Sequence, residues 1–177
     1  MEKVFFLAFV VILITSCNSQ KADYETITLK EKNLFDSLTL SPDVTKANEI
    51  IRLYSEYADK YPDDTNSIKY LFRAAEINSN IGKVNESIIL LNRIIKNYPQ
   101  NNLIPIVLHY KGFLFEERLK DYEKAKLAYS ELIRRFPDTE LALSARACID
   151  NLGKTDEQII EEFEKMQSLA KDSNSAN

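Results

Sequence analysis

Three segments of this chain end in an aromatic residue followed by proline, and they recur at a nearly constant interval. The segments are YADKYPDD at residues 57–64, IIKNYPQN at residues 94–101 and LIRRFPDT at residues 132–139. Their prolines, Pro62, Pro99 and Pro137, lie 37 and 38 positions apart. Internal periods of about 20–50 residues are typical of folds that stack one small structural unit repeatedly. The sequence therefore predicts a repeat protein whose units end at these prolines.

The match between the second and third segments extends backwards from the proline along an amphipathic pattern. At an offset of 38 positions, Val84, Ser87, Leu91, Ile94, Ile95 and Tyr98 align with Tyr122, Ala125, Tyr129, Leu132, Ile133 and Phe136. That spacing places the side chains on one face of a helix. In the same register, Ala74, Ile77 and Ile81 align with Gly112, Phe115 and Leu119. Each unit is therefore predicted to be two helices joined by a turn, at Gly82-Lys83 in one copy and at Lys120-Asp121 in the next.

The order of small, aromatic and proline positions resembles the tetratricopeptide repeat, a helix-turn-helix unit of about 34 residues. The resemblance implies an all-α fold, a tetratricopeptide-like helical-repeat solenoid of about two full repeats with capping helices. It also implies a set of signature residues: Ala74 and Gly112, Phe115, Ser87 and Ala125, Leu91 and Tyr129, and Pro99 and Pro137. Small residues let paired helices approach closely, and aromatic side chains fill the space beside them.

The units depart from that repeat in two respects. They are three or four residues longer than the usual repeat of about 34 residues, and the position that usually holds tryptophan carries Tyr70 or Leu108. In these respects they resemble the longer repeats of bacterial envelope proteins, such as the Tol-Pal-associated coordinator family and the lipoprotein subunit of the outer-membrane barrel-assembly machine. The resemblance therefore implies a role in the cell envelope.

Segments outside the two full units are predicted to complete or cap the stack. Residues 45–61 have the pattern of a second helix, preceded by a candidate short first helix at residues 29–38. A helix is predicted over residues 139–152, and Thr155 with Gln158 forms a capping box for a last helix. Such end helices are expected because terminal repeats otherwise leave an apolar face in water.

The N-terminal segment predicts export and lipid attachment. Residues 4–14 are eleven uninterrupted apolar residues, too few for a membrane span, which needs roughly 20. The sequence ITSC at residues 14–17 resembles the lipobox of bacterial lipoproteins, which implies that Cys17 carries lipid; the alternative is a plain secretory signal in which Cys17 is incidental. The predicted organisation is a lipoprotein signal peptide at residues 1–16, a lipidated cysteine and flexible tether at residues 17–28, a helical-repeat domain at residues 29–171 and a disordered tail at residues 172–177.

These features predict a lipid-anchored protein of the bacterial cell envelope. In some bacteria, an aspartate directly after the lipidated cysteine resembles an inner-membrane retention signal. This chain has Asn18 at that position, so the periplasmic face of the outer membrane is favoured, with surface display as the alternative. The net charge is -4, whereas nucleic-acid binders typically carry a basic footprint. We therefore expect no nucleic-acid partner.

Residues for catalysis, metal or cofactor binding are scarce. The chain has one histidine, His109, and three glycines, too few for an imidazole cluster or a phosphate-binding loop. Cys148 lies on an apolar helical stripe, where a free cysteine usually packs in the core. We therefore expect no catalytic residues, metal or cofactor, and no enzyme activity.

The remaining candidate site is a surface. In tetratricopeptide solenoids the first helix of each repeat lines the concave side, and the resemblance implies a binding groove formed by Ile68, Leu71, Ala75, Asn78, Ile106, His109, Phe113 and Glu116. The alternative is that these residues pack against neighbouring helices. Arg73 and Lys111 hold equivalent repeat positions and could form a basic ladder for an acidic ligand. The alternative for Arg73 is an ion pair with a helix acid such as Glu76.

The predicted function is a lipid-anchored adaptor or scaffold that binds other envelope proteins through its repeat surface. Two alternatives stay open at this point: binding of a glycan or a peptidoglycan-derived ligand, and service as an accessory subunit of an envelope enzyme. The partner and the oligomeric state are not encoded in any motif of the sequence.

Overall fold

A computed structural model of the protein describes residues 19–32, residue 34 and residues 43–175, with side chains as far as Ser168. The predicted signal peptide, Cys17 and the last two residues of the predicted tail lie outside the described residues. In the described ranges every regular element is a helix. None of these helices is both long enough and apolar enough to cross a membrane.

The helices follow one another with short connections. They are α1 at residues 19–32, α2 at Val44–Lys60, α3 at Thr65–Asn80, α4 at Val84–Asn97, α5 at Ile104–Phe113 with a π-helical continuation at Leu114–Arg118, α6 at Tyr122–Arg135, α7 at Glu140–Asn151 and α8 at Asp156–Ser175. The chain divides into two compact units, Met1–Pro99 and Gln100–Asn177. The predicted repeat domain at residues 29–171 thus contains a boundary after the proline that ends α4.

Local sequence signals explain where these helices begin. The Asp43 carboxylate accepts hydrogen bonds from the backbone N–H groups of Thr45 and Lys46 at 2.9 and 3.2 Å, which caps α2. At α8 the predicted capping box is present: the Thr155 backbone N–H donates to Gln158 Oε1 at 2.9 Å, and the Gln158 N–H donates to Thr155 Oγ1 at 3.4 Å.

The turn inside each repeat needs a left-handed backbone, and the two repeats meet this need differently. Gly82 has φ 83° in the first repeat, and Lys120 has φ 53° at the equivalent position of the second. Glycine adopts this conformation freely, whereas a residue with a Cβ is strained there. Lys120 follows the π-helical turn, in which the Leu119 N–H donates to the Leu114 carbonyl at 3.1 Å.

The N-terminal unit places α3 between α2 and α4. Its aromatic core is built from tyrosines, because Tyr54 stacks on Tyr70 with ring centroids 4.9 Å apart and Tyr57 meets Tyr70 edge-on at 5.0 Å. Ile50 and Ala74 complete this cluster from α2 and α3. The first-repeat position that usually holds tryptophan is therefore filled by a tyrosine that packs against two others.

Residues 19–28, predicted to belong to a flexible tether, instead form most of α1. Ile27 is only 2% exposed and packs into the tyrosine cluster. The tether prediction was wrong for this stretch because the segment contributes one buried aliphatic residue and otherwise docks through polar contacts, so it has no apolar period to detect. The helix that precedes α2 therefore begins about ten residues earlier than the one predicted at residues 29–38.

The C-terminal unit packs α6 against both α5 and α7, with α5 also in contact with α7. Its core contains Leu108, Leu114, Tyr129 and Leu132, all essentially inaccessible to solvent. Helix α8 extends to Ser175, so residues 172–175, predicted to belong to a disordered tail, are helical. The last helix was predicted as a cap, but Ile160, Phe163 and Met166 along it are exposed.

The predicted repeat signature occupies the positions expected of it. Ala74, Gly112, Phe115, Ser87, Ala125, Leu91 and Tyr129 are buried, while Pro99 and Pro137 are exposed just after the ends of α4 and α6. Proline follows these helices because it cannot continue them. The predicted fold class, all-α with tetratricopeptide-like helical repeats, is confirmed.

Candidate functional site

One face of α5 presents two large apolar side chains with a histidine between them. Ile106 is 42% exposed and Phe113 is 40% exposed, and His109 lies on the same side of the helix because the three positions are three and four residues apart. The Phe113 ring also stacks against the Tyr110 ring with centroids 6.0 Å apart. We refer to Ile106, His109 and Phe113 as the α5 face.

Contacts within the C-terminal unit hold His109 in place. Its Nε2 atom is 3.0 Å from Ser144 Oγ on α7, and its ring lies 5.5 Å from the Tyr129 ring on α6. Partial burial lowers the pKa of His109, and the nearby Glu116 carboxylate opposes that effect. A largely neutral imidazole at neutral pH is therefore available as a directional hydrogen-bonding group beside two apolar residues.

Glu116, predicted to line the groove, contacts α6 within the C-terminal unit. Its carboxylate accepts a hydrogen bond from the Tyr129 hydroxyl at 2.7 Å. Burial, followed by this carboxylate and the Cys148 thiol, raises the pKa of Tyr129. Cys148, predicted to be a core residue, is half-buried rather than fully enclosed. Glu116 is thus engaged inside the unit and positions the ring on which His109 rests.

The four predicted groove residues of α3 are not accessible. Ile68, Leu71, Ala75 and Asn78 are each at most 5% exposed. Helix α3 has α2 on one side and α4 on the other, so most of its circumference is covered. Their prediction as groove-lining residues needs correction, since only the equivalent positions of α5 offer exposed apolar side chains.

Arg73 and Lys111 do not form the predicted basic ladder, because each has different local contacts. Arg73 forms an ion pair with Glu31 of α1, which corrects the sequence-based pairing with Glu76. Lys111 is half-buried, and burial lowers its pKa while Glu131 opposes that effect. Arg73 is thus committed to a helix that sequence reasoning did not place beside it.

A cleft that the sequence did not predict lies between α1, α2 and α3. It encloses about 620 Å³ and is lined by Thr28, Glu31, Lys32, Tyr54, Arg73, Glu76, Ile77 and Asn80. The Tyr54 hydroxyl donates to Glu31 at 2.5 Å. Burial raises the pKa of Glu76, and Arg73 opposes that effect. The sequence did not predict this cleft, because one of its walls is α1, and only residues 29–32 of α1 overlap the candidate helix predicted at residues 29–38.

Metal binding has no geometric support in the part of the chain that the structure describes. Within those ranges, no three or more His, Cys, Asp and Glu side chains converge on a common point that could hold an ion.

Comparison with known proteins identifies the repeats. Residues 69–101 and 107–139 match the family model described as tetratricopeptide repeat. The two matched segments are similar to tetratricopeptide repeats. No curated protein matches its sequence. The two matched segments start 38 positions apart, the offset at which the apolar faces align. They contain α4 and α6 in full and all but the first three or four residues of α3 and α5. Tetratricopeptide repeats are typically scaffolds for protein–protein contacts.

Proposed function

We propose that this chain is a protein-binding adaptor whose α5 face is the recognition surface. The observation that carries the proposal is the exposure of Ile106 and Phe113 on either side of an anchored histidine. Exposed apolar residues beside a fixed hydrogen-bonding group are the usual composition of an interface hot spot. The equivalent residues of α3 are buried. Of the two repeats, the second therefore supplies the recognition surface.

The spacing on α5 defines the partner's chemistry. Ile106 and Phe113 are seven residues apart, which corresponds to about 10 Å along a helix. A partner would present two apolar side chains at that separation, as residues i and i+7 of an amphipathic helix do. Between them, a polar group would meet the accessible edge of His109, whose other contact is already made with Ser144.

We further propose that the adaptor works at the bacterial envelope, held there by lipid on Cys17. The lipobox-like sequence at residues 14–17 supports this location, and the outer membrane facing the periplasm is the favoured one. The partners would then be other envelope proteins. More than one acyl chain is needed for stable anchoring, since each buried methylene contributes only about 0.8 kcal/mol.

The test is capture of partners from chemically crosslinked cells that express the full chain. We expect a discrete set of proteins to be captured with the wild type and lost with a Phe113→Ala, Ile106→Ala double variant. Leu127→Ala provides the matched control, because Leu127 is 70% exposed on α6, outside the α5 face. Equal capture by all three proteins would show that the α5 face is not the recognition surface.

A second candidate function has its own supporting observation, the cleft beside α1. Its lining combines the Tyr54 ring with carboxylates, a guanidinium and an amide, the mixture that hydrogen-bonds sugars and peptide ends. Titration calorimetry with peptidoglycan-derived fragments should then show binding that Glu76→Gln weakens and that Glu86→Gln, an exposed change on α4, does not. Binding that is absent, or indifferent to Glu76→Gln, would remove this candidate.

A further inference from the structure

The first turn of α1 is fastened to the end of α2 and to the turn that follows it. Ser19 Oγ lies 3.1 Å from the Tyr61 hydroxyl, and Gln20 donates to the Asp64 carboxylate at 2.6 Å. Asp23 accepts from Lys60 Nζ at 2.7 Å. We call these contacts of Ser19, Gln20 and Asp23 the α1 clasp.

The pKa of Asp23 shows that the clasp involves a charged pair. The hydrogen bond from Lys60 is the largest influence and lowers the pKa of Asp23, burial opposes it, and a further hydrogen bond from Tyr61 at 2.9 Å lowers it again. The carboxylate is therefore ionised at neutral pH and held between two donors from the end of α2.

The rest of α1 is fixed as well. Ile27 inserts into the tyrosine cluster, Lys30 pairs with Glu49 at 2.8 Å, and Glu31 binds both Tyr54 and Arg73. Contacts at the beginning, middle and end of α1 leave no free hinge within it. These contacts therefore fix α1 to α2 and α3 along its length.

The length of chain between Cys17 and α1 is very short. One residue, Asn18, separates Cys17 from Ser19, and a step of two positions spans at most about 7 Å. A flexible tether over residues 17–28 would instead have reached about 40 Å. Whatever holds Cys17 is therefore within a few ångströms of the clasp.

We propose that the end of the N-terminal unit formed by the α1 clasp and the α2–α3 turn is mounted directly on the phospholipid bilayer. This inference rests on the lipid anchor of the proposed function. The mounting surface consists of the first turn of α1 and residues Tyr61 to Asp64. The α3–α4 turn, at the other end of the 16-residue α3, lies about 24 Å farther along that helix.

The charges of the mounting surface indicate what holds it to the membrane. Lys21 and Lys60 lie there together with Asp23, Asp63 and Asp64. A surface with both signs and no basic excess is not drawn to anionic lipids. Contact with the bilayer therefore depends on the covalent anchor, and raising the salt concentration is expected to leave it unchanged.

The experiment measures the distance of two sites from the bilayer in the native acylated protein. In a Cys148→Ser background, a fluorophore is placed at Asp63→Cys or at Asn85→Cys, the latter exposed at the start of α4. The protein is bound to phosphatidylcholine vesicles that carry a quencher on a fraction of the lipid headgroups. We expect several-fold stronger quenching at position 63 than at position 85, unaffected by added salt.

A spacer variant tests the short connection without disturbing α1. Eight Gly and Ser residues inserted between Asn18 and Ser19 should bring quenching at position 63 down towards the value at position 85. The same eight residues added after Asn177 are the control and should change nothing. The insertion leaves the clasp and the tyrosine cluster intact, so a decrease in quenching at position 63 is not caused by loss of folding.

The outcomes distinguish the inference from the proposed anchor. Equal quenching at the two positions in acylated protein, or quenching at position 63 that ignores the spacer, would overturn the mounted arrangement and leave the anchor in place. A mass spectrum of the N-terminal peptide that shows no acyl group on Cys17 would overturn both the anchor and the mounting.

Discussion

At the level of single residues, the two repeats place different side chains at equivalent positions, and one of these differences is unfavourable. Ser87 of the first repeat is fully buried, and its Oγ atom has no hydrogen-bond partner among the described residues. The second repeat has Ala125 at this position, also fully buried. A buried hydroxyl without a partner costs about 1–3 kcal/mol. At this small-residue position of the repeat, alanine is thus more favourable than serine.

We therefore predict that Ser87→Ala stabilises the protein by about 1 kcal/mol, measured by denaturant unfolding. Ser67→Ala is the matched comparison, because the Ser67 hydroxyl is equally buried but donates to the Tyr61 carbonyl at 2.5 Å. That variant should lose about 1 kcal/mol. Destabilisation by both changes would show that Ser87 has a partner in solution.

His109 predicts a specific pH dependence. Because burial lowers its pKa in the folded state, the unfolded chain takes up a proton first as the pH falls below about 6.5. The free energy of unfolding should therefore decrease as the pH falls below about 6.5, until the histidine of the folded state is itself protonated. Above about pH 6.5 the contribution of His109 to stability should be fully present. Thermal midpoints of the wild type and of His109→Gln, compared between neutral and mildly acidic pH, isolate this contribution. Parallel curves for the two proteins would contradict it.

At the level of helices, the pairing of α5 with α6 depends on one glycine. A Cβ added at Gly112 would lie 2.4 Å from a ring carbon of Tyr129. At the equivalent positions the first repeat has Ala74 and Leu91, both fully buried. The two repeats therefore carry different pairs at these positions, a glycine with a large ring or an alanine with a smaller side chain.

This compensation predicts a strong coupling between the two positions. Gly112→Ala should destabilise the protein by about 1–3 kcal/mol, because the Tyr129 ring has to move. In a Tyr129→Leu background, which reproduces the first-repeat pair, the same change should be nearly neutral, since alanine is favoured over glycine in a helix by about 1 kcal/mol. A double-mutant cycle by denaturant unfolding measures the coupling. Additive effects would show that the ring and the glycine are independent.

Most helices could be predicted from the sequence, but the first ten residues of α1 could not. The amphipathic period and the terminal prolines were sufficient for α2 to α7, and Thr155 with Gln158 marked the start of α8. Helix α1 is fastened by Gln20, Asp23 and Glu31, whose partners are distant in sequence. Such long-range polar contacts leave no local pattern, so the sequence predicts a tether over residues 17–28.

At the level of the whole molecule, the candidate site was only half predictable. Repeat register selected Ile106, His109 and Phe113, of which Ile106 and Phe113 are exposed on α5 and His109 is half-buried. The same register selected Ile68 and Leu71, which are buried. Equivalence in sequence predicts the position of a residue on its own helix, but the neighbouring helices decide whether that position reaches solvent.

The cleft and the mounted end of the N-terminal unit are further properties that depend on packing. The cleft exists because α1 lies against α2 and α3, and the proposed mounting depends on the same packing, so both were outside the reach of sequence patterns. If the proposals hold, the N-terminal unit fixes the protein to the bilayer while the α5 face of the C-terminal unit recognises a partner.

The most direct test of the central claim, that the α5 face binds a protein, is site-specific photocrosslinking in living cells. A photoreactive phenylalanine analogue replaces Phe113 in one strain and Leu127, exposed on α6, in another. We expect a discrete crosslinked protein from position 113 that is absent from position 127. The absence of a discrete product at position 113, or the same products from both positions, would contradict it.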